Sequence, residues 1–195
     1  SETGGFYSAE DADSEGEEGK FYVWTDEEVK AVLGEEDAAF FQSTFQFEAE
    51  GNFLDEVTQQ RTGSNIPHLE SELSGETADR VETLRQKLYD AREERVHPFK
   101  DDKILTDWNG LMISAFAKAA QTLDDSSYAA AATKATDFVL ETLTNEAGRL
   151  LKRYRQGEAG LTAHLEDYAF MIAALLDVYE STFEVRYLDQ AITFQ

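Results

Sequence analysis

Two stretches of this sequence are apolar on almost every side at helical spacing, and that feature limits the fold more than any other. The first, Thr106 to Leu123, carries Leu111, Met112, Ile113, Ala115, Phe116 and Ala117; the second runs from Glu166 to Tyr179. A helix that is apolar all round has to be enclosed by protein. Each stretch is followed by a wetter one. After the first, Asp124-Asp125-Ser126 reads as a tight connection with an N-cap, and Ser127 to Leu143 turns Ala131, Ala135, Phe138 and Val139 inward. After the second, Arg186 to Phe194 begins another amphipathic run.

The two pairs repeat. A shift of 59 residues aligns Met112-Ile113 with Met171-Ile172, Ala115 with Ala174, Tyr128 with Tyr187 and Ala132 with Ala191. Repeated αα-hairpins stack into solenoids or close into rings, with the more buried helices on the inside. Tetratricopeptide-type solenoids use shorter units of about 34 residues. The longer period leaves room for Arg149 to Arg155, which alternates like a strand and turns at Gly157. The expected fold class is therefore mainly α, a partial α/α toroid of repeated helical hairpins with short β-hairpin insertions.

The first half is more varied. Phe21-Tyr22-Val23-Trp24 reads as a short strand, and Thr25-Asp26-Glu27-Glu28 as a capping box that starts a helix stopped by Gly34. Ala38 to Phe45 is a second helical stretch, and Phe47 to Pro67, with its Gly and Asn residues, reads as short strands and turns. From Ser74 to Arg95, Val81, Leu84, Leu88 and Ala91 give an amphipathic helix that Pro98 closes off. The expectation is one domain over 1–195: an acidic loop and strand (1–24), first helices and a connection (25–100), and two hairpin repeats (101–195). From the loop-like start and the end inside an amphipathic run we expect a segment of a longer chain, one that associates with another copy through its uncovered faces.

Charge narrows the partners. With 40 acidic and 17 basic residues the net charge is −23, which repels nucleic-acid phosphate and anionic lipid. The acids are spread along the whole chain, as on a surface adapted to high intracellular salt, rather than clustered as in a metal field. No apolar run approaches the roughly 18 residues a membrane span needs. Residues 1–20 are unlike a secretory leader, and the expected location is the cytoplasm. Without cysteine there is no disulfide, thiolate metal site or thiol nucleophile. No cofactor is expected: the sequence has no Gly-rich phosphate loop, no H-E-x-x-H and no G-x-S-x-G.

Three strings carry a resemblance. They are the run from Gly4-Gly5-Phe6-Tyr7-Ser8 through Asp11-Ala12-Asp13 to Phe21-Tyr22-Val23-Trp24, the run from Asp101 through Thr106-Asp107-Trp108-Asn109 to Met112, and Leu165-Glu166-Asp167-Tyr168-Ala169. Together and in this order the chain resembles the YyaL-like, spermatogenesis-associated thioredoxin-domain-containing family. The resemblance implies a thioredoxin-like domain elsewhere in the full-length chain. It also implies a six-hairpin toroid similar to N-acylglucosamine 2-epimerases and glycosidases, of which these residues would be the middle. It assigns no reaction.

Candidate chemistry gathers in three places. Asp11-Ala12-Asp13-Ser14-Glu15-Gly16 has the opening of an EF-hand loop, but Tyr22 stands where the bidentate Glu belongs, so no metal is expected. In a toroid of this family the loop would lie over the cavity mouth, making Tyr7, Asp11 and Asp13 substrate contacts. Asp107-Trp108-Asn109 and Glu166-Asp167-Tyr168 open the two apolar helices, where carboxylates suit proton transfer and aromatic faces stack on sugar rings. The same acids would also serve as plain helix caps. Arg153-Tyr154-Arg155 and His164 offer a base and cations for a developing oxyanion. The expected catalytic set is Asp107, His164 and Glu166. The expected substrate contacts are Tyr7, Asp11, Asp13, Trp108, Asn109, Arg153, Arg155, Asp167 and Tyr168, and the ligand a carbohydrate. Whether the chain is an enzyme stays open. The competing reading is a non-catalytic binding or scaffold module partnered with a thioredoxin-like domain.

Overall fold

The computed structural model describes residues 1–55 and 59–195. In chain order the elements are β1 (Ala9–Glu10), β2 (Asp13–Ser14), β3 (Glu17–Glu18), α1 (Asp26–Leu33), α2 (Glu35–Thr44) and α3 (Gly75–Glu93). Then follow β4 (Lys100–Asp101), β5 (Ile104–Leu105), α4 (Thr106–Leu123), α5 (Ser126–Thr142), β6 (Leu151–Arg155), β7 (Glu158–Thr162), α6 (Leu165–Thr182) and α7 (Val185–Phe194). The class is the expected one: mainly α, in hairpins, with short β insertions. The chain forms two compact units, residues 11–99 and residues 1–10 with 100–195. Among the described residues no helix is long and apolar enough to cross a membrane.

In the unit formed by 1–10 and 100–195, α4 packs on α5 and α6, and α6 packs on α7. Ile113, Ala117, Ala135, Val139, Met171, Leu175 and Val178 are buried between them. Close approach of α4 to α6 depends on Gly110, where an added Cβ would lie 2.8 Å from the Phe170 carbonyl carbon. A three-stranded antiparallel sheet, β5-β6-β7, sits at the starting ends of α4 and α6. β5 runs straight into α4 and β7 leads through Ala163-His164 into α6, so the sheet brings both helix starts to β6. The β6–β7 turn is Gln156-Gly157, both with positive φ (51° and 88°), as a tight two-residue hairpin requires.

Three expectations need correcting here. α4 and α6 are not wholly enclosed: Leu111 (51%), Met112 (42%) and Leu165 (83%) are exposed. The repeat is real at the level of hairpins but out of helical phase in the first pair. Met112 is exposed while Met171 is fully buried, and the buried equivalent of Met171 is Ile113. On helices rich in Leu, Ala and Met, residue type alone does not fix rotation about the axis. For the same reason α5 buries Ala132 and Thr136 rather than Ala131.

In the unit of 11–99, the capping box at Thr25 and Glu28 forms as read, and Trp24, Val29, Leu33, Phe41, Leu84 and Leu88 make the core. Phe21 to Trp24 is not a strand; only Trp24 bridges, to Asn65. Arg95 holds that segment instead, donating to the carbonyls of Phe21 (2.9 Å) and Val23 (2.8 Å) with its guanidinium over the Trp24 ring. In the loop before α3, the buried Asn65 side chain accepts from the Glu48 and Asn52 amides. Leu54 and Arg61 form a further bridge, and the part of the strand-and-turn expectation on 56–58 lies outside the described residues. The Asp11–Gly16 run belongs to a β-hairpin. Asp13–Ser14 pairs with Glu17–Glu18 across Glu15-Gly16, both at positive φ. Gly16 thus serves the turn, and Glu15 pairs with Lys20 at 3.1 Å.

Candidate functional site

The starts of α4 and α6 meet at one lysine. Lys152 Nζ lies 2.9 Å from Asp107 Oδ2, 3.2 Å from Asp167 Oδ1 and 3.6 Å from Glu166 Oε1. Burial works against the charge of Lys152, but hydrogen bonds to Asp107 and Asp167 outweigh it and raise its pKa above the ordinary value. Lys152 was not singled out by sequence. A signal existed: acids opening two partly buried helices need a cation within reach, and β6 is the strand between them.

The carboxylates are not equivalent. Asp167 is fully buried; its Oδ2 accepts the His164 amide at 2.7 Å and its Oδ1 the Asp107 amide at 3.1 Å. It therefore caps its own helix and the neighbouring one. Asp107 accepts from the Trp108 amide at 2.9 Å. Glu166 and His164 are the accessible members, 3.5 Å apart between Oε1 and Nδ1. Hydrogen bonding to its own backbone amide, then Lys152 and His164, hold the Glu166 carboxyl below its usual range despite some desolvation. A carboxylate kept ionised accepts hydrogen bonds, and its lowered pKa makes it a weaker base than an ordinary Glu; a general acid would need its pKa raised.

His164, Glu166 and Asp167 present ligand atoms within 4.8 Å of one another. The Lys152 ammonium already supplies the positive charge there, and both Asp167 oxygens are engaged, so a metal ion would have to displace existing bonds.

The other expected residues divide. Trp108 follows Asp107 on the first turn of α4 and is 53% exposed. Asn109 is buried, and its amide is spent on backbone: Oδ1 accepts the Phe6 N–H at 2.8 Å, while Nδ2 donates to the carbonyls of Phe6 (3.0 Å) and Leu105 (2.8 Å). Instead of facing a ligand, it ties the amino-terminal segment to α4. The Tyr168 hydroxyl accepts the Leu150 amide at 3.0 Å, so it braces the entry to β6. Strand alternation sends Arg153 and Arg155 to the face of β6 opposite Lys152, and Arg155 pairs with Asp102. Tyr7 lines a cleft of about 360 Å³ with Asp102, Tyr154 and Gln156. Asp11 and Asp13 belong to the other compact unit.

No family model matches the chain. It is 32% identical over 229 aligned positions to human spermatogenesis-associated protein 20, covering 99% of this chain and 29% of that protein. Spermatogenesis-associated protein 20 sequences are thus among its homologues. The rat member matches equally, at 32% and 29% of its length, and an uncharacterized Caenorhabditis elegans protein is 30% identical over 98% of this chain and 31% of its own. The chain thus spans under a third of the spermatogenesis-associated protein 20 relatives it matches. Among solved structures it is similar to a GH76 α-mannanase of Bacteroides thetaiotaomicron, with TM-score 0.45 and 18% identity, over 60% of this chain and 37% of that one.

Proposed function

We propose that the shared starting ends of α4 and α6 form a carbohydrate-binding surface within a larger α/α toroid, in a protein that also carries a thioredoxin-like domain. The observation that carries this reading is the convergence of Asp107, Glu166 and Asp167 on Lys152, with the exposed Trp108 indole beginning the same turn. An indole face stacks on the C–H face of a pyranose, and ionised Glu166 with neighbouring His164 offers acceptors and a donor to its hydroxyls. Asp107, Asp167 and Lys152 would hold the two helix starts in register beneath them. Any proton transfer to or from the sugar would run through His164 and Glu166, the two accessible members of the cluster.

The second reading is a binding or scaffold module without catalysis. It is favoured by how fully Asp107 and Asp167 are committed to Lys152 and to backbone amides.

The test is thermal stabilisation of the full-length protein by a panel of mono- and disaccharides, repeated with Trp108→Ala. Stabilisation that the variant loses supports the binding surface, and turnover of the stabilising sugar separates enzyme from module. No stabilisation by any sugar, or an undiminished response in Trp108→Ala, sinks it.

A further inference from the structure

The unit of residues 11–99 contains a cleft that the sugar-binding reading leaves unused. Buried Trp24, Phe41 and Leu88 form its apolar floor, and exposed Tyr22, Ile66 and Tyr89 its rim, around a volume of about 360 Å³. Among the described residues its lining contains no acid, but it does contain Arg85 and Arg92. That is the reverse of the chain's overall balance of 40 acidic to 17 basic residues.

Arg92 is the informative member. Its guanidinium sits 5.3, 5.6 and 5.4 Å from the ring centroids of Phe21, Tyr22 and Tyr89. Nearby arginines have carboxylate partners, Arg85 with Glu82 and Arg95 with Glu28. Among the described residues Arg92 has no ion pair, and its buried Nε has no hydrogen-bond acceptor. A guanidinium set among three aromatic rings presents a planar, pre-organised fork, and a carboxylate is the group whose geometry matches that fork. The volume is at the small end of the roughly 300–1,000 Å³ usual for ligand pockets, which suits one or two fused rings with a short acid arm. The aromatic residues of the lining offer a neutral sugar few polar partners.

We propose that this cleft binds a small aryl carboxylate, its ring on Trp24, Phe41 and Leu88 and its carboxylate on the Arg92 guanidinium. The aromatic walls supply apolar burial, and Arg92 supplies the selection for charge.

Calorimetric titration of the full-length protein with 2-naphthoate and with neutral 2-naphthamide tests it. The acid should bind at least about tenfold more tightly than the amide, as expected for one charge-assisted contact. Arg92→Gln should abolish that preference while leaving amide binding in place, and Arg92→Lys should retain part of it. Should Arg92→Gln fail to fold, the acid-to-amide ratio in the unmodified protein and in Arg92→Lys decides. Equal binding of the two ligands overturns the proposal, as does an unchanged ratio in Arg92→Gln. So does no heat from either ligand, the result expected if another part of the full-length protein covers the cleft.

Discussion

Asp167 Oδ1 accepts the backbone N–H of Asp107 at 3.1 Å, so a side chain from α6 closes the first turn of α4. The same carboxylate accepts the His164 amide and faces Lys152, with no exposure to solvent. One buried residue therefore sets where two helices begin. Removing a partner from a buried ion pair leaves the other charge uncompensated and costs about 3–5 kcal/mol. Asp167→Ala is expected to lose stability in that range by urea unfolding. With Lys152→Met already in place, Asp167→Asn should cost far less than it does alone, because the charge it removes is then unpaired. Additive losses would show that Lys152 and Asp167 are not coupled.

Alkaline pH should expose the same pair. The folded-state pKa of Lys152 lies above its ordinary value because its carboxylate hydrogen bonds outweigh the opposing effect of burial. A raised folded pKa contributes stability in full below the unfolded value of about 10.4 and loses it as pH climbs through the folded one. Burial also raises the Tyr187 pKa, with the same sign, so the wild type should fall off above about pH 10 from both groups. In Lys152→Met that decline should be shallower, Tyr187 being common to both proteins. Identical alkaline limbs would contradict the assignment.

Gly110 offers a steric test of the α4–α6 contact. Alanine is intrinsically better than glycine in a helix by about 1 kcal/mol. Here, however, its methyl would meet Phe170 backbone atoms at 2.8 and 3.0 Å, and backbone yields far less readily than a side-chain tip. Gly110→Ala is expected to be destabilising by about 1–3 kcal/mol, measured by thermal or urea unfolding. A stabilised variant would mean that the helices are further apart.

These elements were legible in the sequence to different degrees. The helix limits were, because Thr25, Gly34 and Asp125 are local capping signals that act without tertiary context. The β6–β7 hairpin was, through alternation and Gly157. The rotation of α4 was not, since Leu111, Met112 and Ile113 are equally apolar and only packing decides that Ile113 goes inward. At the site, the grouping of Asp107, Glu166 and Asp167 followed from helix starts falling one repeat apart. Lys152 and the fate of Asn109 did not, because both depend on long-range contacts, to α4 and α6 for one and to Phe6 for the other.

The charge predicts a salt response. At −23 the folded chain repels itself, and the repulsion is relieved as added ions shorten the screening length from about 30 Å at 0.01 M to about 3 Å at 1 M. The urea midpoint should rise between low and high potassium chloride. Ion pairs such as Arg80 with Asp37 weaken over the same range, but exposed pairs contribute little, about 0–1 kcal/mol each. Equal midpoints at the two salts would remove the argument for a salt-adapted surface.

The exposed side of α4 makes the last prediction. Trp108, Leu111, Met112 and Ala115 fall at i, i+3, i+4 and i+7, which is one stripe along a helix, and all four are exposed. Solvent is a poor neighbour for such a stripe, and self-complementary apolar faces favour association of identical chains. The 195-residue chain is therefore expected to scatter light as a species heavier than its 21.9 kDa, increasingly so with concentration. Leu111→Glu places a charge in the centre of the stripe without touching the buried Ile113 and Ala117 side, so it should return the chain to monomer mass while leaving its unfolding midpoint nearly unchanged. A wild-type chain that stays at monomer mass at all concentrations would show that the stripe tolerates water, and a variant that unfolds would show that Leu111 belongs to the core after all.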